Sequence, residues 1–120
     1  MNGAQLAFIG DAIISLYVRE YLLSLGLTQS KQLQETSVKY VSAKAQSLFM
    51  MSLLDLKILS DDELLIYKRG RNHKSESQAK NTDVVTYRQA TGLEALFGYW
   101  YLNQNETRLK QIWDIMKTSL

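Results

Sequence analysis

The stretch "LAFIGDAIISLY", Leu6–Tyr17, sets a single carboxylate, Asp11, in an almost unbroken apolar run and beside a glycine. Wound as a helix, it is apolar in nearly every direction, the pattern of a helix packed on most sides. The exceptions stack at spacing four, where Ala7, Asp11, Ser15 and Arg19 lie above one another on one stripe. An ionised carboxylate in such company is costly unless something pairs with it. Arg19 is two turns away, too far for a close ion pair within one helix. The available partners are an arginine from elsewhere, a helix N-terminus or a divalent cation.

The signature recurs downstream. "GLEALFGYWYL", Gly92–Leu102, places Glu94 beside a core-facing row, while Tyr87, Thr91, Glu94 and Gly98 share another stripe. Each acid has a mid-helix glycine nearby, Gly10 and Gly98, at a cost of up to about 1 kcal/mol relative to alanine, so something approaches closely at both. One reading is that the glycines let two helices pack tightly and the acids pair with basic residues. The other is that the two acids form a shared site, and the repetition of the pattern favours it. The chain has no cysteine, and His73, its one histidine, lies in a charged stretch and reads as a solvated loop residue. Two carboxylates without His or Cys suit a hard cation with oxygen ligands, magnesium first and manganese as a possible substitute. Such an ion can polarise a phosphoryl oxygen and acidify a bound water, which with a basic surface points to phosphodiester hydrolysis. A Ser-His-Asp triad and a Walker or dinucleotide glycine pattern have no support, since Gly70 lacks a partner at the right spacing.

With 120 residues, 46% of them apolar, the chain is long enough for one core and too short for two, so one domain over 1–120 is expected. Without proline, long helices are favoured. The pattern predicts an all-α fold. A first helix over Ala4–Leu25 is stopped by Gly26. A second helical stretch over Ser30–Leu56 is broken near Glu35–Ser37, with Leu33, Val38, Val41, Ala45, Leu48 and Phe49 inward. A third opens at Asp61, where Ser60 and Glu63 can cap each other's backbone donors, and carries Leu64, Leu65 and Tyr67 into a basic block. Gly70–Thr82, "GRNHKSESQAKNT", has almost nothing to bury and reads as an exposed loop. Asp83–Leu102 has Leu93, Leu96, Phe97, Trp100 and Tyr101 at helical spacing, and Asn105 caps a last helix that buries Leu109, Ile112, Trp113 and Met116.

Charge is lopsided although the net value is only +2. Lys68, Arg69, Arg71, Lys74 and Lys80 face Glu76 alone within Lys68–Lys80, a local +4, which leaves −2 for the remainder. A basic block on a mildly acidic domain is the footprint of a polyanion contact, and a solvated turn is the alternative. No apolar run reaches the roughly 18 to 20 residues of a membrane-spanning helix. Nor does the N-terminus read as a secretory leader. A soluble protein of a reducing compartment is expected, without a membrane partner.

Taken together, these segments resemble a known family. "LAFIGDAII" is similar to the signature helix of the ribonuclease III catalytic domain, and "LEALFGYWYL" to its second acidic helix. "YVSAKAQS", "YKRGRNHKS" and "KNTDVVTYRQATGLEALFGYWYL" resemble Mini-III, the short branch lacking a separate double-stranded-RNA-binding domain. Ala7 and Thr91 stand where the broader family carries two further carboxylates, a substitution shared by Mini-III. The resemblance implies a ribonuclease III-like helical bundle that forms a homodimer through its first helix, with Phe8 and Ile9 near the contact. It implies catalysis and metal binding by Asp11 and Glu94 with Mg2+. It further implies cleavage of double-stranded RNA to 5′-phosphomonoesters with short 3′ overhangs, and maturation of large-subunit ribosomal RNA precursor in the cytoplasm of a bacterium or in an organelle, with a ribosomal protein as possible helper. Lys68, Arg69, Arg71, Lys74 and Lys80 are the expected RNA-binding residues, since A-form RNA can be gripped across its minor groove without base reading. The competing readings are a catalytically inactive ribonuclease III-like scaffold for RNA binding or assembly, and a helical interaction module whose acids are structural.

Overall fold

Helix α1 (Gly3–Ser24) starts at a reciprocal cap: the Asn2 side chain accepts a hydrogen bond from the Gln5 N–H at 2.9 Å, and Gln5 Oε1 accepts one from the Asn2 N–H at 3.0 Å. It ends at Ser24, one residue before the expected Leu25, and Gly26 turns the chain at φ 86°. The computed structural model describes residues 1–73 and 83–119. Within them the remaining elements are α2 (Ser30–Val41), α3 (Ala43–Leu56), α4 (Asp61–Arg71), α5 (Val84–Leu102) and α6 (Glu106–Thr118), so the regular structure is all-α as expected. None of these helices is long and apolar enough to cross a membrane.

The expected caps are present. Ser60 and Glu63 form a capping box that opens α4, and Asn105 opens α6 by accepting from the Arg108 N–H. The break between α2 and α3 falls at Ser42, later than the predicted Glu35–Ser37, because the Ser42 side chain caps α3 by accepting from the Ala45 N–H at 3.2 Å. That shift changes which residues face inward. Phe49 is buried as expected, but Val38 and Leu48 are exposed, and Tyr40, Met50 and Leu53 fill the places assigned to them. The exposed-loop expectation for Gly70–Thr82 fails at its start, since Gly70 and Arg71 complete α4; residues 74–82 lie outside the described part.

Helix α5 is the hub. It packs on α1, α3, α4 and α6, and Leu93, Leu96, Phe97 and Trp100 are fully buried. Tyr101, expected in the core, instead faces solvent. The α1–α5 contact is the most extensive between any two elements. Gly10 and Gly98 explain it: a Cβ on Gly10 would overlap the Glu94 carbonyl oxygen, and one on Gly98 would overlap that of Leu6. The two glycines thus serve close helix packing, as one sequence reading held. Gly70 and Gly92 do the same between α4 and α5, where a Cβ on Gly70 would lie 2.8 Å from the Thr91 carbonyl oxygen and one on Gly92 would strike the Tyr67 ring.

A buried clasp ties the far end of α4 to α5 and α6. Glu63 accepts from Trp100 Nε1 and Arg108 Nε at one carboxylate oxygen, both at 2.8 Å, and from Arg108 and the Ser60 N–H at the other. Arg108 also donates to the Ile58 carbonyl at 2.6 Å. Burial alone would push the Glu63 carboxyl up, but the Arg108 guanidinium, the Ser60 amide and the Trp100 indole together hold it below the usual carboxylate range.

Candidate active site

Because backbone meets backbone at Gly10 and Gly98, the neighbouring side chains of α1 and α5 are forced together. Asp11 and Glu94 line one open cleft of about 210 Å³. Their carboxyl groups are within hydrogen-bonding reach of each other, and the environments differ. Glu94 is half-buried and Asp11 is exposed, so only one of the two acids fits the expectation of burial among apolar neighbours. Around Asp11 the apolar side chains turn outward: Phe8 is 80% exposed, and Ala12 and Leu16 are exposed with it. Burial pushes the Glu94 carboxyl up to about 9, with the hydrogen bond to Asp11 and repulsion from its charge adding to the shift. Two acids that cannot comfortably be ionised side by side are a common device of functional sites.

A divalent cation would relieve that conflict. Hard cations bind through one or two carboxylates and complete their shell with water. Among the described residues no cluster of three or more His, Cys, Asp or Glu side chains is placed to hold a metal. The ligand set on offer is therefore the pair Asp11 and Glu94, open to solvent on the Asp11 side. The neighbouring cleft positions on the same helices carry no acid: Ala7 is buried, and the buried Thr91 hydroxyl donates back to the Tyr87 carbonyl at 2.9 Å.

Two further polar side chains share the cleft: Tyr87, on the stripe of Glu94 that the sequence showed, and His73, which the sequence did not point to. His73 is half-buried rather than solvated, because it follows directly on α4, with its N–H donating to the Gly70 carbonyl at 3.3 Å. Of the basic residues, Lys68 and Arg69 are exposed on the last turn of α4. Arg71 is half-buried with its guanidinium 5.3 Å from the centre of the Tyr67 ring. Lys74 and Lys80 lie outside the described residues. Ile9 is half-buried beside the exposed Phe8.

This geometry meets its family in the comparisons with known proteins. The ribonuclease III domain profile matches residues 4–105. The chain belongs to the ribonuclease III family, in its Mini-ribonuclease 3 branch. It is 49% identical to the Mini-ribonuclease 3 of Enterococcus faecalis over 98% of this chain and 90% of that one. The Mini-ribonuclease 3 of Streptococcus pneumoniae is 46% identical, over 98% and 93%. The crystal structure of a protein from Fusobacterium nucleatum superimposes with a TM-score of 0.86 at 35% identity, covering 100% of this chain and 95% of that one. As a member of this branch the chain is an endoribonuclease of the ribonuclease III type.

Proposed function

We propose that the chain is a magnesium-dependent endonuclease of double-stranded RNA, with Asp11 and Glu94 as its metal-binding and catalytic residues. The observation that carries this reading is the convergence of the two carboxyl groups, one from each of the two closest-packed helices, in a single cleft open to water. When bound there, a divalent cation supplies Lewis acidity toward a phosphoryl oxygen and acidifies water. Asp11 and Glu94 would hold that cation, Glu94 in its ionised form. Lys68 and Arg69, exposed on the last turn of α4, contact backbone phosphates, with Arg71 fixed nearby by Tyr67. Lys74 and Lys80 extend the same charge run.

The uncovered apolar stripe of α1, Phe8, Ala12 and Leu16, supports a homodimer built on the first helix, with Ile9 at its edge. Residues 1–120 then form one catalytic unit per strand of a duplex. The resemblance of the motifs to Mini-III supports large-subunit ribosomal RNA precursor as substrate. The bacterial relatives support a cytoplasmic site of action.

The decisive experiment incubates the purified protein with duplex RNA, single-stranded RNA and duplex DNA, with and without magnesium. Cleavage is expected for duplex RNA with magnesium alone. Asp11→Asn and Glu94→Gln are each expected to abolish it while leaving RNA binding largely intact. Near wild-type cutting by either variant would overturn the assignment. Affinity should also fall steeply with salt, and charge reversal at Lys68 and Arg69 should flatten that dependence.

A further inference from the structure

The cleft that holds the acid pair is also lined by two polar side chains that the proposed chemistry does not use: His73, which follows the cap of α4, and Tyr87, on the same stripe of α5 as Glu94. Among the described residues His73 forms no metal-holding cluster with Asp11 and Glu94, yet it lines the same cleft. The helix that leads into His73 is firmly seated. Helix α4 is locked to α5 by Gly70 against the Thr91 backbone and Gly92 against Tyr67, and Thr91 lies one helical turn before Glu94 on the cleft wall. The backbone that carries His73 is therefore anchored beside the α5 wall of the cleft, with its N–H donating to the Gly70 carbonyl. An imidazole offers at least one N–H donor in either protonation state.

From this we infer that His73 binds and orients the phosphate of the RNA substrate, donating a hydrogen bond to a non-bridging oxygen that the acid-held cation does not engage. The inference rests on the proposed role of Asp11 and Glu94. A phosphodiester carries two non-bridging oxygens, and a site that offers a cation and a separate donor can grip both.

The test compares the full-length wild-type protein with His73→Ala and His73→Gln, using duplex RNA with sulfur in place of either non-bridging oxygen at the cleaved phosphate. His73→Ala is expected to lower kcat/KM about tenfold to a hundredfold, the range of one hydrogen bond to a charged group, with unchanged melting temperature. His73→Gln, which keeps a donor, should recover part of the loss. The wild type should discriminate against sulfur at one diastereomeric position through His73, and His73→Ala should lose that discrimination while keeping the one due to the metal. Unaltered kinetics and sulfur discrimination in His73→Ala, with Asp11→Asn and Glu94→Gln inactive, would overturn this inference alone. Active Asp11→Asn or Glu94→Gln would instead overturn the reading beneath it. Should His73→Ala melt lower, His73→Gln with native stability decides: loss of sulfur discrimination by neither variant sinks the proposal.

Discussion

Glu94 pays for its position in stability. Its carboxyl is raised from 4.5 to about 9 in the folded chain, so above pH 4.5 the unfolded chain sheds a proton that the native state retains. Stability is then lost as pH rises through that window. In metal-free protein at pH 8, Glu94→Gln should melt above the wild type, by about 5 °C or more for a chain of this size, and the two should converge near pH 5. If the proposed site binds magnesium, the ion should narrow the gap, since only the wild type keeps both proposed ligands. Glu63 shows the opposite sign. Held below 4.5 by Arg108 and its other partners, it stabilises the fold above that pH, and the contribution disappears as pH falls through its native value. Glu63→Gln leaves Arg108 without its counter-ion at a site where the side chains are 9% and 17% exposed. A loss of about 3 kcal/mol near neutral pH is expected from urea unfolding, shrinking in acid. The acids were not equally readable in the sequence. Asp11 and Glu94 announced themselves by apolar company and a neighbouring glycine, whereas Glu63 sat in an ordinary capping box, and nothing local linked it to Arg108, 45 residues away.

At the level of helices, the glycine seam sets the spacing of the site. Gly10→Ala would drive a methyl group into the Glu94 carbonyl, and Gly98→Ala one into that of Leu6. Such overpacking costs about 1 to 3 kcal/mol, against a helix-propensity gain of at most about 1 kcal/mol. Both variants should be destabilised in denaturant titrations, and both should lose cleavage beyond what stability explains, because α1 must move away from α5 and take Asp11 with it. The helices themselves were legible: period, caps and the absence of proline located α1, α4, α5 and α6 to within a residue or two. The α2–α3 break was not, since Ser42 stands between good helix formers and its capping role appears only once the chain bends there. His73 was misread for a related reason. Whether a residue after α4 meets solvent or a cleft depends on how α4 lies on α5, which is decided by Gly70 and Gly92, 22 residues apart in the chain.

For the molecule as a whole, the unanswered surface is the outward face of α1. Phe8 is 80% exposed and borders the acid cleft, so a second copy docked there would bring two clefts close together. Phe8→Asp should weaken self-association by about 2 kcal/mol or more, as expected for loss of a buried aromatic anchor, read by sedimentation at graded protein concentrations. Loss of duplex cleavage should track the loss of dimer. Unchanged sedimentation would move the contact elsewhere. The periodicity of the sequence had suggested a helix enclosed on most sides, and this stripe is the part of that pattern which the single chain leaves uncovered.

Helices α1 and α5 make the most extensive contact in the fold, while α2 buries only Tyr40. Amide exchange should accordingly be fastest in α2 and slowest along α1 and α5, where opening requires disruption of the whole cooperative unit. Fraying at the periphery would then leave the two acids facing each other, and the proposed ion site should persist until the last tier of structure gives way.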